Sequence, residues 1–190
     1  MRAFFCLELD STLREAISKI SSRLKRSDAR VSWVRPASLH ITLKFLGDIS
    51  EDLIPKLKES VHHAIHSTET TSPVSCQFNQ LGAFPNINRP RVVWVGCKEE
   101  PARLQALAKR LEESLAQLGF EPERGGIVTH VTLGRVKEEG AGVARLVQSM
   151  QKIEPFSFPT KLDHITLMKS DLTPEGSIYT PVFQVPFSTK

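Results

Sequence analysis

One short phrase occurs twice in this chain and carries two side chains that could do acid–base chemistry. Each copy has a histidine and a threonine two residues apart, a β-branched residue between them and a leucine after them: His40-Ile41-Thr42-Leu43 and His130-Val131-Thr132-Leu133. Because side chains alternate between the faces of a β-strand, the imidazole and the hydroxyl share one face and the apolar residues share the other. Two such strands facing each other would surround one small anionic group with two histidines and two hydroxyls. That arrangement suits proton transfer at a phosphodiester without a metal.

The chain contains four His-x-Thr sequences, and their surroundings select two of them. His66 runs into a polar stretch that is typical of a loop. His164 begins a tetrapeptide identical to that of His40, but only a short helical pattern precedes it. His40 and His130 each follow an amphipathic helix whose first leucine stands 27 residues upstream in one case and 26 in the other. We therefore assign the site to His40 and His130 and interpret His164 as an ordinary strand residue.

The hydrophobic periodicity predicts an α+β fold with antiparallel sheets. Helices are expected over 11–26, from a Ser50 cap to about 66, over 101–118 with Gly119 as the stop, and over 141–150. Strands are expected over 2–9, 31–35, 39–46, 74–81, 91–97, at His130, and over 156–159, 161–169 and 178–187. The sequence has no glycine-rich phosphate loop of the Rossmann or P-loop kind.

Composition sets the broad class of protein. With 190 residues, 40% hydrophobic and 24% charged, the chain is expected to fold as one domain, 1–190, or as two tightly coupled lobes. The net charge of +4 is compatible with a phosphate-bearing partner but indicates little by itself. The three cysteines have neither metal-ligand nor disulfide spacing, which favours buried free thiols in a reducing cytoplasm. We expect no metal site, because His62 and His66 lack the glutamate of a helical zinc motif.

The residues around both histidines resemble a known family. The stretch from Trp33 to Gly47 looks like the first signature of the 2H phosphoesterases, and above all of the RNA 2′,3′-cyclic phosphodiesterases, also called 2′-5′ RNA ligases. The stretch from His130 to Arg135 is similar to the second signature, although Thr129 stands where the family usually has proline. We expect that difference to loosen the start of the strand without removing a catalytic group. The resemblance implies two pseudo-symmetric lobes, each with an antiparallel sheet and outer helices. It also implies a central cleft between one lobe around His40 and one around His130.

The resemblance also implies a reaction. Hydrolysis of a terminal 2′,3′-cyclic phosphate to a 2′-phosphate needs a base to activate water and an acid to protonate the departing 3′ oxygen. The family suggests His130 as the base and His40 as the acid, whereas the sequence alone leaves the roles open. Thr42 and Thr132 can donate to the non-bridging oxygens. We expect no cofactor, no obligate protein partner and no membrane, and RNA ends or nucleotides with a cyclic phosphate as substrates.

Three further residues are candidates for substrate binding. Arg135 can bind phosphate through its guanidinium, but in an unbroken strand its position has the wrong parity to share the face of His130. Gly134 could permit a bulge that brings it round. Phe45 has the same offset from His40; the family implies that it stacks on a base, and core packing is the alternative. Lys44 has the correct parity and is a second candidate for phosphate contact.

Two other functions stay open at this point. RNA end-joining through a 2′-5′ link would be the reverse chemistry on the same groups, so no residue distinguishes it from hydrolysis. A non-catalytic RNA-binding module is less favoured, because binding requires basic and aromatic groups but not paired His-x-Thr strands.

Overall fold

A computed structural model describes residues 1–68, 72–122, 127–138, 140–174 and 176–187. These residues form the helices α1 (Ser11–Lys25), α2 (Ile54–Ser67), α3 (Ala102–Ala116) and α4 (Ala141–Gln151). They also form the strands β1 (Arg2–Glu8), β2 (Val31–Trp33), β3 (His40–Asp48), β4 (Val74–Asn86), β5 (Arg89–Cys97), β6 (His130–Val136), β7 (Phe158–Leu162), β8 (His164–Thr173) and β9 (Gly176–Pro186). Within the described part of the chain, no helix is both long enough and apolar enough to cross a membrane.

The helices that precede the two histidine strands have the predicted buried faces. The buried residues are Leu13, Ile17, Ile20 and Leu24 on α1, and Leu104, Leu107, Leu111 and Leu115 on α3. Asp10 caps α1, because one of its carboxylate oxygens accepts a hydrogen bond from the Leu13 amide at 2.7 Å. The other oxygen accepts from the Thr160 hydroxyl at 2.5 Å and so ties the start of α1 to β7.

Some predicted boundaries differ from the structure. Ser50 does not cap α2: it precedes a 3-10 turn, Glu51–Leu53, and its hydroxyl makes no capping bond. The helix begins at Ile54, followed by Pro55, a residue suited to the first turn because the missing amide hydrogen is not needed there. β4 also continues five residues beyond the prediction, to Asn86, because its end forms a hairpin with β5. The other predicted elements are present, with ends shifted by a few residues.

Nine strands form one antiparallel sheet in the described residues. Eight follow the order β7-β4-β5-β6-β3-β1-β8-β9, and β2 pairs with β6 outside this row. The two histidine strands are therefore neighbours at the middle of the sheet, where Ile41 pairs with Val131. Both of these side chains are buried in the main hydrophobic core. The predicted α+β class with antiparallel sheet is confirmed.

The strand order has an approximate two-fold symmetry about the contact between β3 and β6. On one side β3 is followed by β1, β8 and β9, and on the other β6 is followed by β5, β4 and β7. The helix α1 connects β1 to β3 through β2, as α3 connects β5 to β6. β4 crosses into the half of β6, and β8 returns to the half of β3. We propose from this order that 1–190 is one domain of two intertwined lobes, one around each histidine.

A bulge interrupts the alternation in both histidine strands at the same place. Cys6 pairs with Thr42 and Phe5 with Lys44, so that Leu43 is an extra residue in β3. Trp94 pairs with Thr132 and Val93 with Gly134, so that β6 has an extra residue at the equivalent position. Each bulge reverses the parity of the residues that follow it. The burial of the first seven residues is accordingly identical in the two strands.

We predict that the structure has no room for a side chain at Gly134, the residue that follows the bulge in β6. A Cβ at this position would lie 2.6 Å from Val31 Cγ1 and 3.0 Å from the Trp33 ring. Overpacking of this kind lowers the free energy of unfolding by about 1–3 kcal/mol. In a chain of this size that corresponds to a decrease in Tm of roughly 2–12 °C for Gly134→Ala, measurable by thermal denaturation.

A double-mutant cycle with Val31→Ala tests the cause. The second substitution removes the closest atom, so the double variant should lose less stability than the two single variants added together. Strictly additive losses would show that the contact with Val31 is not responsible.

Candidate active site

The paired strands bring both His-x-Thr sequences to one place. Because Ile41 pairs with Val131 in an antiparallel register, His40 lies beside Thr132 and Thr42 lies beside His130. All four residues are half-buried and share the face opposite Ile41 and Val131. The two histidines are therefore diagonal neighbours across the contact, each next to a threonine hydroxyl of the other strand.

A backbone carbonyl fixes the tautomer of each histidine in the same way. Nδ1 of His40 lies 2.8 Å from the carbonyl oxygen of Ser38, and Nδ1 of His130 lies 2.7 Å from that of Val128. A carbonyl can only accept, so Nδ1 carries the hydrogen in both rings. This leaves Nε2 of each ring as the nitrogen that can accept or donate a proton during a reaction.

Both imidazoles are biased toward the neutral form. Burial lowers the pKa of His40 below its usual range, and the nearby charge of His130 acts in the same direction. Burial also lowers the pKa of His130, and the positive charge of Arg135 adds to this effect. The carbonyl bonds oppose these shifts in both cases, as do Glu8 beside His40 and Glu100 beside His130.

Aromatic side chains form one wall of the site. The ring of Phe84 stands edge-on to His130 at 5.1 Å between centroids, and Trp94 lies behind both. A cavity of about 960 Å³ opens here between the sheet and α3, lined by Thr42, Phe45, Phe84 and His130 among others. Phe45 is 57% exposed, so the alternative that it packs in the core is wrong.

The bulges decide which of the three candidate binding residues reach the site. Past its bulge, β3 presents Phe45 on the His40 face, where the ring of Phe4 lies 4.9 Å from that of His40 and 5.9 Å from that of Phe45. Past the equivalent bulge, Arg135 is exposed and close enough to His130 for its charge to lower the pKa of that group. The bulge anticipated at Gly134 is present.

Lys44 does not take the position that its parity in an unbroken strand predicts. The bulge turns its side chain to the opposite face, where it is 4% exposed. Its ammonium group lies 3.1 Å from a carboxylate oxygen of Glu112 on α3 and 2.5 Å from the carbonyl oxygen of Glu121. Lys44 thus ties β3 to α3 and the residues after it, and the structure gives no support to a phosphate contact.

Comparison with known proteins agrees with this geometry. The model of the 2′-5′ RNA ligase superfamily matches residues 9–174. A Methanothermobacter thermautotrophicus protein named RNA 2′,3′-cyclic phosphodiesterase is 37% identical over 182 residues, which is 95% of each chain. A crystal structure from Thermus thermophilus has a TM-score of 0.78 at 24% identity and covers 98% of both chains. E. coli LigT, crystallised with phosphate, has a TM-score of 0.68 at 25% identity and covers 99% of this chain and 98% of its own.

The chain belongs to the 2′-5′ RNA ligase superfamily. The resemblance read from the two signatures is confirmed, and so is the α+β fold of the family, although the described strands form one continuous antiparallel sheet where a separate sheet in each lobe was expected.

The departure of this superfamily member at Thr129 has the opposite effect to the one expected. Unlike proline, threonine has an amide hydrogen, and both carboxylate oxygens of Glu100 accept from it, at 3.0 and 3.1 Å. Gln105 on α3 donates to Glu100 at 3.1 Å and to the Ile127 carbonyl at 2.9 Å. The segment 127–129 is therefore held on both sides of Val128, whose carbonyl orients His130. Glu100 and Gln105 tighten the start of β6 where we expected it to be loose.

On the other side of the cleft, Glu8 connects His40 to the His-x-Thr sequence that begins at His164. Glu8 pairs with His40 across β1 and β3. Its Oε1 accepts from the Thr166 hydroxyl at 2.6 Å and from the Gln184 amide at 2.7 Å, and lies 3.4 Å from Nε2 of His164. Burial alone would raise the pKa of Glu8, but these hydrogen bonds outweigh it and the pKa is lowered.

His164 lies beyond this carboxylate, and both of its ring nitrogens have polar neighbours. Nδ1 is 2.5 Å from a carboxylate oxygen of Asp163, and Nε2 is the nitrogen that faces Glu8. His164 does not line either cavity that touches His40 or His130. Its position agrees with the interpretation as a strand residue outside the reacting pair.

The sequence analysis missed Glu8, Phe84, Glu100 and Gln105. Each of them reaches the site across a strand pair or from the start of a helix, so no local pattern marks it. Tyr179 is a further neighbour of His40: its ring stands edge-on to that of His40 at 5.2 Å between centroids and lines a cavity there. Within the described ranges, no group of three or more His, Cys, Asp or Glu side chains is arranged to hold a metal ion.

We predict that Glu100 tunes the protonation of His130. The carboxylate charge stabilises the imidazolium form, so removing that charge should lower the pKa of His130 further. Glu100→Gln keeps an oxygen that can accept from the Thr129 amide while losing the charge. NMR titration of the His130 ring protons measures the effect directly.

Glu99→Gln is the matched control, because it removes the same charge from the neighbouring exposed residue. We expect a clearly smaller change in the pKa of His130 for this variant. Equal shifts in the two variants would mean that the contact of Glu100 with the start of β6 has no particular role.

Proposed function

We propose that this protein hydrolyses terminal 2′,3′-cyclic phosphates of RNA or nucleotides to 2′-phosphates, using two His-x-Thr strands and no metal. The observation that carries the proposal is the paired contact at Ile41 and Val131, which sets two histidines with free Nε2 atoms on one face. The relatives that are named RNA 2′,3′-cyclic phosphodiesterase support the same reaction.

In the proposed mechanism the two histidines have complementary roles. His130 accepts a proton from water as the water oxygen attacks phosphorus. The bond from phosphorus to the 3′ oxygen breaks, and His40 donates a proton to that oxygen. Two groups that titrate near neutrality can take these roles, and each is worth roughly 10²–10⁴ in rate. The lowered pKa of His130 keeps this imidazole unprotonated to lower pH, as a base requires, but the pKa of His40 shifts in the same direction, so the assignment of the two roles rests on the family resemblance.

The threonines and Arg135 would stabilise the charge that develops on the phosphoryl group. Thr42 lies beside His130, and Thr132 lies beside His40, so the two hydroxyls approach phosphorus from the two strands. Hydroxyl donors aimed at non-bridging oxygens act most strongly in the transition state. Arg135 would add a guanidinium that can bind two oxygens at once. Both proton transfers are thus assigned to side chains of this chain, which is why we propose that the reaction needs no cofactor.

The large cavity beside His130 fits the terminal nucleoside. Its walls are mainly apolar, with Phe45 and Phe84 as the aromatic rings. Stacking on an aromatic ring tolerates every base, because each base has a π-face. We therefore propose that Phe45 stacks on the terminal base without strong preference for its identity.

Two further proposals concern the setting of the reaction. The three cysteines Cys6, Cys76 and Cys97 are buried as free thiols, which is usual in a reducing compartment, and we propose that the protein acts in the cytoplasm. We also propose that RNA ends are its partners and that no other protein is required for the chemistry, since every reacting group assigned above lies on this chain.

The proposed activity can be tested on the purified protein with a 2′,3′-cyclic mononucleotide and with a cyclic-ended oligonucleotide in EDTA. We expect hydrolysis of both, with 2′-phosphate as the product, identified by chromatography against 2′- and 3′-phosphate standards. A rate that disappears in chelator and returns only with added metal would overturn the metal-independent mechanism. A 3′-phosphate product would contradict the assignment of the leaving oxygen.

We predict that the three strand histidines differ sharply in their effect on turnover. His40→Ala and His130→Ala should each lower kcat by at least ~10², the scale of one lost acid or base. His164→Ala is the matched comparison, since it comes from an identical tetrapeptide, and it should stay within a few-fold of the parent. If His164→Ala and His40→Ala were equally inactive, the selection of the site residues would be wrong.

Replacement of Phe45 should separate binding from stability. Because the ring is 57% exposed, Phe45→Ala removes little buried surface and should leave Tm nearly unchanged. Loss of base stacking should weaken binding of cyclic-ended RNA by about 1–3 kcal/mol. Leu43→Ala is a useful contrast, since this buried side chain should matter to Tm. If the Phe45→Ala variant bound RNA normally, the proposal that Phe45 stacks on the terminal base would be wrong.

A further inference from the structure

A second cavity, of about 390 Å³, lies on the other side of His40 and has no role in the reaction described above. Its polar lining includes Glu8, Arg14, Arg35, Ser38, His40 and Tyr179. Arg14 comes from the first turns of α1, and Arg35 from the residue just before the short turn that leads into β3. Two arginines thus reach one cavity from separate elements, next to a residue that we place at the reacting phosphate.

The two bulges give the cleft a direction. Phe45 follows Thr42 in β3, and Arg135 follows Thr132 in β6, so the antiparallel pairing sends them to opposite ends of the histidine pair. The end toward Phe45 is the apolar cavity. Arg135 follows Thr132 at the end where His40 stands, and His40 also lines the smaller cavity together with Arg14 and Arg35. One end of the cleft is therefore suited to a base and the other to negative charge.

Glu8 is the acidic residue of this cavity, and hydrogen bonds hold its carboxylate in place without removing the negative charge, which the two arginines outnumber. Oε1 accepts hydrogen bonds from Thr166 and Gln184. The guanidinium of Arg14 is also anchored, because its Nη2 donates to the Leu9 carbonyl at 2.9 Å. An anchored guanidinium loses less rotamer freedom when it binds a phosphate, which favours a defined contact over a diffuse surface attraction.

We propose that this second cavity receives the phosphodiester that joins the terminal nucleotide to the rest of an RNA chain. The terminal base would lie at Phe45, the cyclic phosphate between the histidines, and the 5′-linked phosphate near Arg14 and Arg35. The inference rests on the proposed function and deepens it, because it makes RNA ends, rather than free cyclic nucleotides, the substrates that use the whole cleft.

The test compares two substrates in the same variants. For each protein, kcat/KM is measured for a 2′,3′-cyclic mononucleotide without a 5′-phosphate and for a trinucleotide with a 2′,3′-cyclic end. Arg14→Gln and Arg35→Gln should each lower the ratio of oligonucleotide to mononucleotide kcat/KM about tenfold, the scale of one lost hydrogen bond to a charged group. Any loss of folded protein lowers both rates equally and leaves the ratio unchanged.

Arg23→Gln is the matched control, since it removes the same charge from an exposed position on the same helix, and its ratio should equal that of the parent. A phosphate contact also contributes to salt dependence. The slope of log kcat/KM against log salt for the trinucleotide should become shallower by about 0.7 for each arginine lost.

The outcomes separate the two proposals. If the parent protein hydrolyses neither substrate, the proposed function fails and the inference fails with it. If the parent hydrolyses both but the Arg14 and Arg35 variants keep the ratio and the salt slope, the reaction stands and the second cavity is not a phosphate subsite. A ratio that falls equally in Arg23→Gln would mean that the charge acts only at long range, which also overturns the subsite.

Discussion

The contact between β3 and β6 at Ile41 and Val131 is the constraint on which the site depends. Both side chains are fully buried, so the register of the two strands is fixed by core packing and not by the polar residues themselves. A slip of either strand by one residue would turn its histidine into the core and its apolar residue into the cleft. The same burial that stabilises the fold therefore decides that four polar groups from distant parts of the chain face one another.

Closeness of the two histidines also shapes their protonation. Charge on His130 lowers the pKa of His40, so a second proton is harder to add than the first. The state with one proton on the pair is therefore favoured over the state with two, and the proposed acid–base mechanism, with one donor and one acceptor, requires that state. Burial lowers the pKa of both histidines. The carboxylate of Glu8 opposes this shift at His40, and that of Glu100 opposes it at His130.

Periodicity in the sequence was sufficient for most of the elements, because these rest on local rules of parity and spacing. The same rules led to the selection of His40 and His130, which stays a prediction, and the paired strands bring both residues to one face. The predicted position of Lys44 was wrong, because the rule of strict alternation cannot reveal a bulge that depends on the partner strand. Arg135 was placed correctly only because a glycine precedes it and signals such a break. The predicted effect of Thr129 on the start of β6 was also wrong, because its partner Glu100 lies 29 residues away and no pattern in the sequence links them.

The two halves of the cleft share one backbone design and use it for different purposes. At the residue after the bulge, β3 has Lys44, whose buried ammonium group holds α3, whereas β6 has Gly134, because β2 lies where a side chain would point. At the next residue, β3 presents a phenyl ring and β6 a guanidinium. A symmetric scaffold alone would bind an asymmetric ligand equally well in two orientations. The different side chains at equivalent positions remove that ambiguity, so the substrate can be oriented with one defined histidine beside the attacking water and the other beside the leaving oxygen.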